Sequence, residues 1–176
     1  TAIGSSGITT DGDYAVTLSA GTAAAADLNT IAGDTSGAIN ASLVTTITGT
    51  AANILSAAAA GTITTKADYA ATVNSGTASV ANINTLDADT TGVITATVTE
   101  GDLSTLKTVD DANGNNALAI TVTDTSAAAA DLNTVDGLTT VAITATAVET
   151  ITGTAANILT AIGSSGITTD GDYAVT

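Results

Sequence analysis

The chain has 176 residues, two lysines against seventeen acids, no histidine and a net charge of −15. Nothing in it can neutralise phosphates, so nucleic-acid binding is excluded, and an anionic membrane surface would repel it. No apolar run approaches the ~20 residues of a transmembrane helix, so membrane insertion is excluded as well.

Residues 1–17, TAIGSSGITTDGDYAVT, recur letter for letter as residues 160–176, an offset of 159. So long a copy reads as one full large repeat plus the start of the next, a window on a longer periodic chain. Residues 1–176 are then one continuous structure, with a large repeat spanning 1–159 and no separate domains. Phe, Trp, Met, Cys, Pro, His, Arg and Gln are all absent. Ala, Thr, Val, Ile, Leu and Gly must therefore fill the interior, which predicts a narrow, finely layered core.

Six related segments divide the large repeat. They are GTAAAADLNTI (21–31), GTAANILSA (49–57), GTASVANINTL (76–86), GDLSTLKTV (101–109), TSAAAADLNTV (125–135) and GTAANILTAI (153–162). Their spacing predicts six coils of about 26 residues, each a short helix followed by a strand. Helices are expected from Thr22, Thr50, Thr77, Asp102, Ser126 and Thr154, whose side-chain oxygens suit the N-cap position. Apolar residues then recur every three or four positions, as in Val80/Ile83/Leu86 and Leu103/Leu106/Val109. Gly33, Gly61, Gly114, Gly137 and Gly163 follow as stop or turn residues.

The strands show a period of two. The inward positions are Tyr14/Val16/Leu18, Ile39/Ala41/Leu43, Tyr69/Ala71/Val73, Ile94/Ala96/Val98, Leu118/Ile120/Val122 and Ile143/Ala145/Ala147. Strands separated by helices cannot form hairpins, so parallel pairing through right-handed crossovers is expected. The predicted fold is an α/β solenoid, helix–strand coils stacking a parallel β-sheet. The alternative is an all-β right-handed β-solenoid in which the AAAADLNT segments are non-helical arcs. Six strands at about 4.8 Å advance such a coil by roughly 29 Å per large repeat.

Acid-rich turns carry the candidate chemistry. Asp11 and Asp13, their copies Asp170 and Asp172, Asp87 with Asp89, and Asp110, Asp111, Asn113 and Asn115 are candidate calcium ligands. The cation favours several hard oxygens in a flexible loop. The Asp111/Asn113/Asn115 spacing matches the early positions of calcium loops, but Val122 stands where a closing Glu belongs. The plainer reading is that Asp, Asn and Gly make good turns.

A column of Thr17, Ser42, Thr72, Thr97, Thr121 and Thr146 is expected along the exposed sheet face. Such a face suits lateral contact between filaments and, as a minor alternative, ice binding. The neighbouring column is interrupted at Ala15, Asn40, Ala70 and Ala119. Asn29, Asn84 and Asn133 recur on the helical side, where they either stack as a polar ladder or, as the expected reading, face water.

Enzyme chemistry has little to work with, since a lone lysine is the only nitrogen base. The carboxylates of Glu100 and Asp102 are better read as helix-start residues than as a glycosidase pair. No catalytic activity is expected.

The segments Ala81–Leu86 (ANINTL) and Thr91–Val98 (TGVITATV), with the ADLNT phrases, resemble tandem repeats of very large extracellular and cell-surface proteins of cyanobacteria and other aquatic bacteria. The resemblance implies an extracellular structural or adhesive repeat region. The glycine-rich nonapeptides that fold around calcium in many such proteins are missing here. The expected function is a structural repeat unit of an extracellular bacterial filament, sheath or giant surface protein; a calcium-stabilised adhesin stalk is the alternative. Its expected partner is itself, either more of the same chain or identical subunits stacked end to end.

Overall fold

The computed structural model describes residues 9–176; the first eight residues of the duplicated stretch lie outside the described residues. In chain order the elements are β1 (Val16–Thr17), β2 (Gly21–Ala24), α1 (Ala25–Asp34), β3 (Ile39–Ala41), β4 (Val44–Gly49), α2 (Ala51–Ala59), β5 (Ile63–Thr65), β6 (Ala70–Val73), α3 (Val80–Asp89), β7 (Ile94–Thr97), α4 (Leu103–Leu106), β8 (Ala117–Ala119), β9 (Ser126–Ala128), α5 (Ala129–Asp136), β10 (Ile143–Thr144), β11 (Thr150–Thr152), α6 (Ala155–Gly163), β12 (Ile167–Thr168) and β13 (Ala174–Val175).

The fold is α/β, with short strands alternating with helices and no closed barrel. Every strand pair among the described residues is parallel, as a chain with helical crossovers requires. The largest sheet has the order β2-β4-β6-β7-β8; smaller sheets join β1-β3-β5, β13-β11-β9 and β10-β12. Partners such as Ile39 and Ile63, Thr46 and Ala70, or Ser126 and Thr150 lie one crossover apart in the chain. The AAAADLNT segments form α1 and α5, so the all-β alternative is removed.

Four helices begin on a side-chain cap. Thr50, Ser79, Asp102 and Thr154 accept a hydrogen bond from the amide three residues on, which satisfies one of the free donors of the first turn. Thr50, Asp102 and Thr154 are the residues expected from the sequence. The other three starts are corrected. Thr22 and Ser126 lie in β2 and β9, paired with Thr46 and Thr150, and α1 and α5 begin after Ala24 and Ala128 without a side-chain cap. At the third, Ala78 bridges Val98, which delays α3 until after Ser79. A neighbouring strand edge outcompetes the local preference of an alanine-rich segment for helix. Most coils thus carry two strands where one was expected.

The core is aliphatic. Leu28, Ile54, Ile83, Leu86, Leu106 and Leu132 from the helices meet Ile39, Ile47, Ile94, Leu118 and Ile143 from the strands, all with no exposed surface. Burying each such side chain contributes about 1.5–3 kcal/mol. Most inward positions expected from the period of two are buried, with two corrections. Leu43 is 57% exposed while Val44 is buried, and Ala147 is exposed while Val148 is buried. At both places a turn separates two strands, and one extra residue reverses the alternation.

Gly49 and Gly153 precede the caps Thr50 and Thr154 with φ of 152° and 143°. Only glycine adopts that backbone without strain, so each marks the corner from strand to helix.

Candidate functional site

The acidic turns are the first candidates, and Asp87, Asp89 and Asp111 already accept hydrogen bonds within the fold. Asp111 accepts the amides of Asn115 (3.2 Å) and Asn116 (3.4 Å), closing its own turn. Asp87, from α3, reaches the same turn from the other side, accepting from the Ala112 amide (3.3 Å) and the Asn116 side chain (3.1 Å). The Asp110 amide donates to Asn84 at 2.8 Å. Asn115 donates to the Thr91 carbonyl, and Asn113 is exposed. Asp87, Asp110 and Asp111 line one open depression of about 540 Å3 with Asn84, Val109 and Leu138. Asp89 is occupied by the Tyr69 hydroxyl at 2.8 Å. Asp11, Asp13, Asp170 and Asp172 are exposed, and the Asp172 amide donates to Asp170 at 3.4 Å. Among the described residues, no three acidic side chains come together as a metal-holding group.

The expected threonine column is not in register. Thr17 pairs with Asn40 rather than Ser42, Thr72 with Thr95 rather than Thr97, and Thr121 with Thr144 rather than Thr146. Each offset is two residues, which keeps the same face of the strand outward, so the alternation of buried and exposed positions allows either register and the backbone pairing selects this one.

Electrostatics are sparse. Lys66 pairs with Asp68 at 2.9 Å and Lys107 with Asp131 at 3.3 Å, both at the surface, where such pairs contribute little. The hydrogen bond from Lys66 holds the Asp68 carboxyl below its ordinary range. Asp102 is also lowered, first by the Ser104 hydroxyl and then by Thr105. Burial, then the bond to Asp89, pushes the Tyr69 phenol far above its ordinary value. Burial and the Asp34 charge raise Tyr14 more mildly.

What the fold does assemble repeatedly is a set of polar joints between successive strand–helix repeats. Asn29, Asn84 and Asn133 do not face water as expected. Each donates to a carbonyl of the following helix or its end: Asn53 (3.0 Å), Thr108 (2.8 Å) and Asn157 (3.0 Å). Thr35, Thr90 and Thr139 each donate to a carbonyl in or just before a strand of the preceding repeat, at Tyr14 (2.6 Å), Tyr69 (2.6 Å) and Leu118 (2.9 Å). Each of these hydroxyls also accepts the amide two residues on. Glu100 accepts from the Val80 amide at 3.0 Å and Asp124 from the Leu103 amide at 2.8 Å. These carboxylates, about 20 residues further along the chain, thus cap helices α3 and α4, where the helix dipole favours negative charge. Asp102 caps its own helix as expected, whereas Glu100 serves the previous one.

Sequence reading missed the threonine joints and the buried Asn116. The only local signal for the first is the short phrase DTSG or DTTG after a helix. Asn116 has no exposed surface, accepts from the Ile94 amide and donates to Asp87. In sequence it directly follows the candidate ligands Asp110 to Asn115, and no local pattern marks it as buried.

No helix among the described residues is long and apolar enough to cross a membrane. Comparison with protein-family models, curated proteins and solved structures finds no match.

Proposed function

We propose that this chain is a structural rod segment, an α/β solenoid whose coils stack along one axis, and that it serves as a repeat of an extracellular bacterial filament, sheath or giant surface protein. The supporting observation is the recurrence of one inter-coil joint. The bonds Asn29 to Asn53, Asn84 to Thr108 and Asn133 to Asn157 each span 24 residues. The polar side chains of the interior are spent on holding coil to coil, and the apolar ones on a continuous aliphatic core. A role in mechanics rather than catalysis fits that use.

The acidic surface suits the same role. The 159-residue repeat holds 15 acids and 2 lysines, about one net charge per 2.2 Å of rod at roughly 4.8 Å per coil. Rods of that charge repel one another at low salt and stay dispersed.

Fibre diffraction from oriented material tests the reading. A meridional reflection near 4.8 Å is expected, because the strands would run across the axis. An equatorial position for that reflection overturns the rod. Denaturing electrophoresis of native material then separates a covalent array, running far above one repeat, from stacked subunits of about one repeat.

A further inference from the structure

Residues 13–17 and 172–176 share the sequence Asp-Tyr-Ala-Val-Thr, and the two copies pair along opposite edges. In the first, the amides of Val16 and Leu18 donate forward to the carbonyls of Ala38 (3.0 Å) and Asn40 (2.9 Å). In the second, Ala174 and Thr176, counterparts of Ala15 and Thr17, donate backward to Glu149 (2.8 Å) and Ile151 (3.0 Å). Alternate residues of a strand present their amides to opposite edges. The two copies therefore use complementary sets of donors, and one strand of this sequence can hold both partners at once.

The assembled form already exists inside the chain. Asp68–Thr72 reads Asp-Tyr-Ala-Ala-Thr and has partners on both edges. Behind it, Thr46 pairs with Ala70, the register of Thr150 with Ala174. Ahead of it, Ala71 pairs with Ile94, the register of Val16 with Ile39. The helices follow the same correspondence. The sequence of α6, AANILTAIG, matches AANILSAAA of α2. In the chain α2 faces α3 across a groove between Leu55, Ala58 and Ala59 on one side and Thr85, Ala88 and Asp89 on the other. On α6 the counterparts of Leu55 and Ala58 are Leu159 and Ile162, which are 66% and 44% exposed. On α1 the counterpart of Ala88 is Gly33. The larger residue on one helix is partly offset by the smaller on the other.

We infer that the open end made by α6 and β13 is the seat of a second copy of the repeat, joined in tandem, with residues 160–176 serving as its first seventeen. A helix with the sequence of α1 then covers Leu159 and Ile162. A strand with the sequence of β3 takes the free edge of β13, and the Thr35 counterpart donates to the Tyr173 carbonyl as Thr90 does to Tyr69. This rests on the rod reading above and adds to it the register of the joint.

The test compares the 176-residue chain with the same chain followed by a second run of residues 18–176. The readout is amide hydrogen exchange at Val175, the counterpart of Val16. In the extended chain the Val175 amide is expected to exchange at least about 100-fold more slowly, at a rate independent of protein concentration. Leu159→Asp is expected to abolish that slowing while leaving exchange at Ile47 and Ile94 unchanged. Equal Val175 rates in the two chains overturn the joint, as does protection that disappears on dilution, which would mean a copy binding in trans. Slowing that survives Leu159→Asp overturns the helix seat. Two protected repeats with an unprotected Val175 would leave the rod reading intact and remove only this joint, so the two failures are distinguishable.

Discussion

The Thr90 hydroxyl donates to the Tyr69 carbonyl at 2.6 Å while accepting the Gly92 amide at 3.0 Å. One side chain thus ties the residue that precedes β6 to the turn that opens β7. Thr90 is 2% exposed, so no water replaces either bond. Thr90→Val keeps the shape and removes both, leaving a buried carbonyl and a buried amide unpaired, a cost of about 2–4 kcal/mol. Thr90→Ser keeps the hydroxyl and should cost less than about 1 kcal/mol. Thermal unfolding checks the pair at roughly 2–4 °C per kcal/mol for a chain of this size.

Gly92 lies against that same carbonyl, and a side-chain carbon there would overlap the backbone of Tyr69. Gly37 stands in the same relation to Tyr14. Gly92→Ala and Gly37→Ala should each destabilise by about 1–3 kcal/mol or more, since a backbone has no rotamer by which to yield. Gly61→Ala, with open space around its Cβ position, is the control and should change stability by less than about 0.5 kcal/mol. Urea unfolding midpoints separate the three.

Tyr69 is buried with its hydroxyl on Asp89, and both burial and that bond favour the neutral phenol. Its folded pKa is raised, so the associated stability is fully present below the unfolded value of about 10 and is lost as pH rises above it. Absorbance titration should show Tyr69 ionising above the ordinary tyrosine range, together with unfolding. Tyr69→Phe should cost about 1–2 kcal/mol at pH 7 and flatten the alkaline loss of stability. Asp102 has the opposite sign. Its lowered pKa contributes stability above the unfolded carboxylate value, lost as pH falls through the folded one. Asp102→Asn should remove that acid limb.

Asn84 and Asn133 hold equivalent places but are not equally engaged. Asn84 donates to Thr108 and accepts from the Asp110 amide, both at 2.8 Å. Asn133 donates to Asn157, and its side-chain oxygen is buried without a partner. Asn84→Ala should therefore destabilise more than Asn133→Ala, by about 1 kcal/mol. Paired denaturant curves with equal slopes would establish the difference.

Calcium at about 1 mM, the upper range for weak extracellular sites, should leave the melting temperature within about 1 °C. Asp87, Asp89 and Asp111 are engaged by backbone amides, Asn116 and Tyr69, and the acids of the two Asp-Gly-Asp turns face solvent. A rise of several degrees, by linkage, would restore the calcium-stabilised stalk.

Much of the fold was legible because it depends on local patterns. The period-two runs from Tyr69 to Val73 and from Ile94 to Val98 are buried at the expected positions. Thr50, Asp102 and Thr154 cap helices where their side chains suggest. The candidate site was less legible. Acid-rich turns read the same whether they bind a cation or one another, and only the positions of Asp87 and Asn116 show which partners they take. Thr90 and Glu100 act on backbone groups more than 19 residues away, and no local pattern records such a pairing.

By itself the sequence determined the alternation of helix and strand, the parallel pairing that follows from it, and the small aliphatic interior. Each is a consequence of side-chain periodicity, caps and the absence of large residues. The tertiary structure alone decided where strand gives way to helix in the TAAAA and SAAAA stretches, because alanine enters either and the neighbouring strand edge settles the boundary. It also decided the register that replaces the expected threonine column. Each offset there is two residues, which leaves the buried face unchanged, so side-chain alternation could not choose it; at Leu43 and Ala147, by contrast, a turn reverses the face by a single residue.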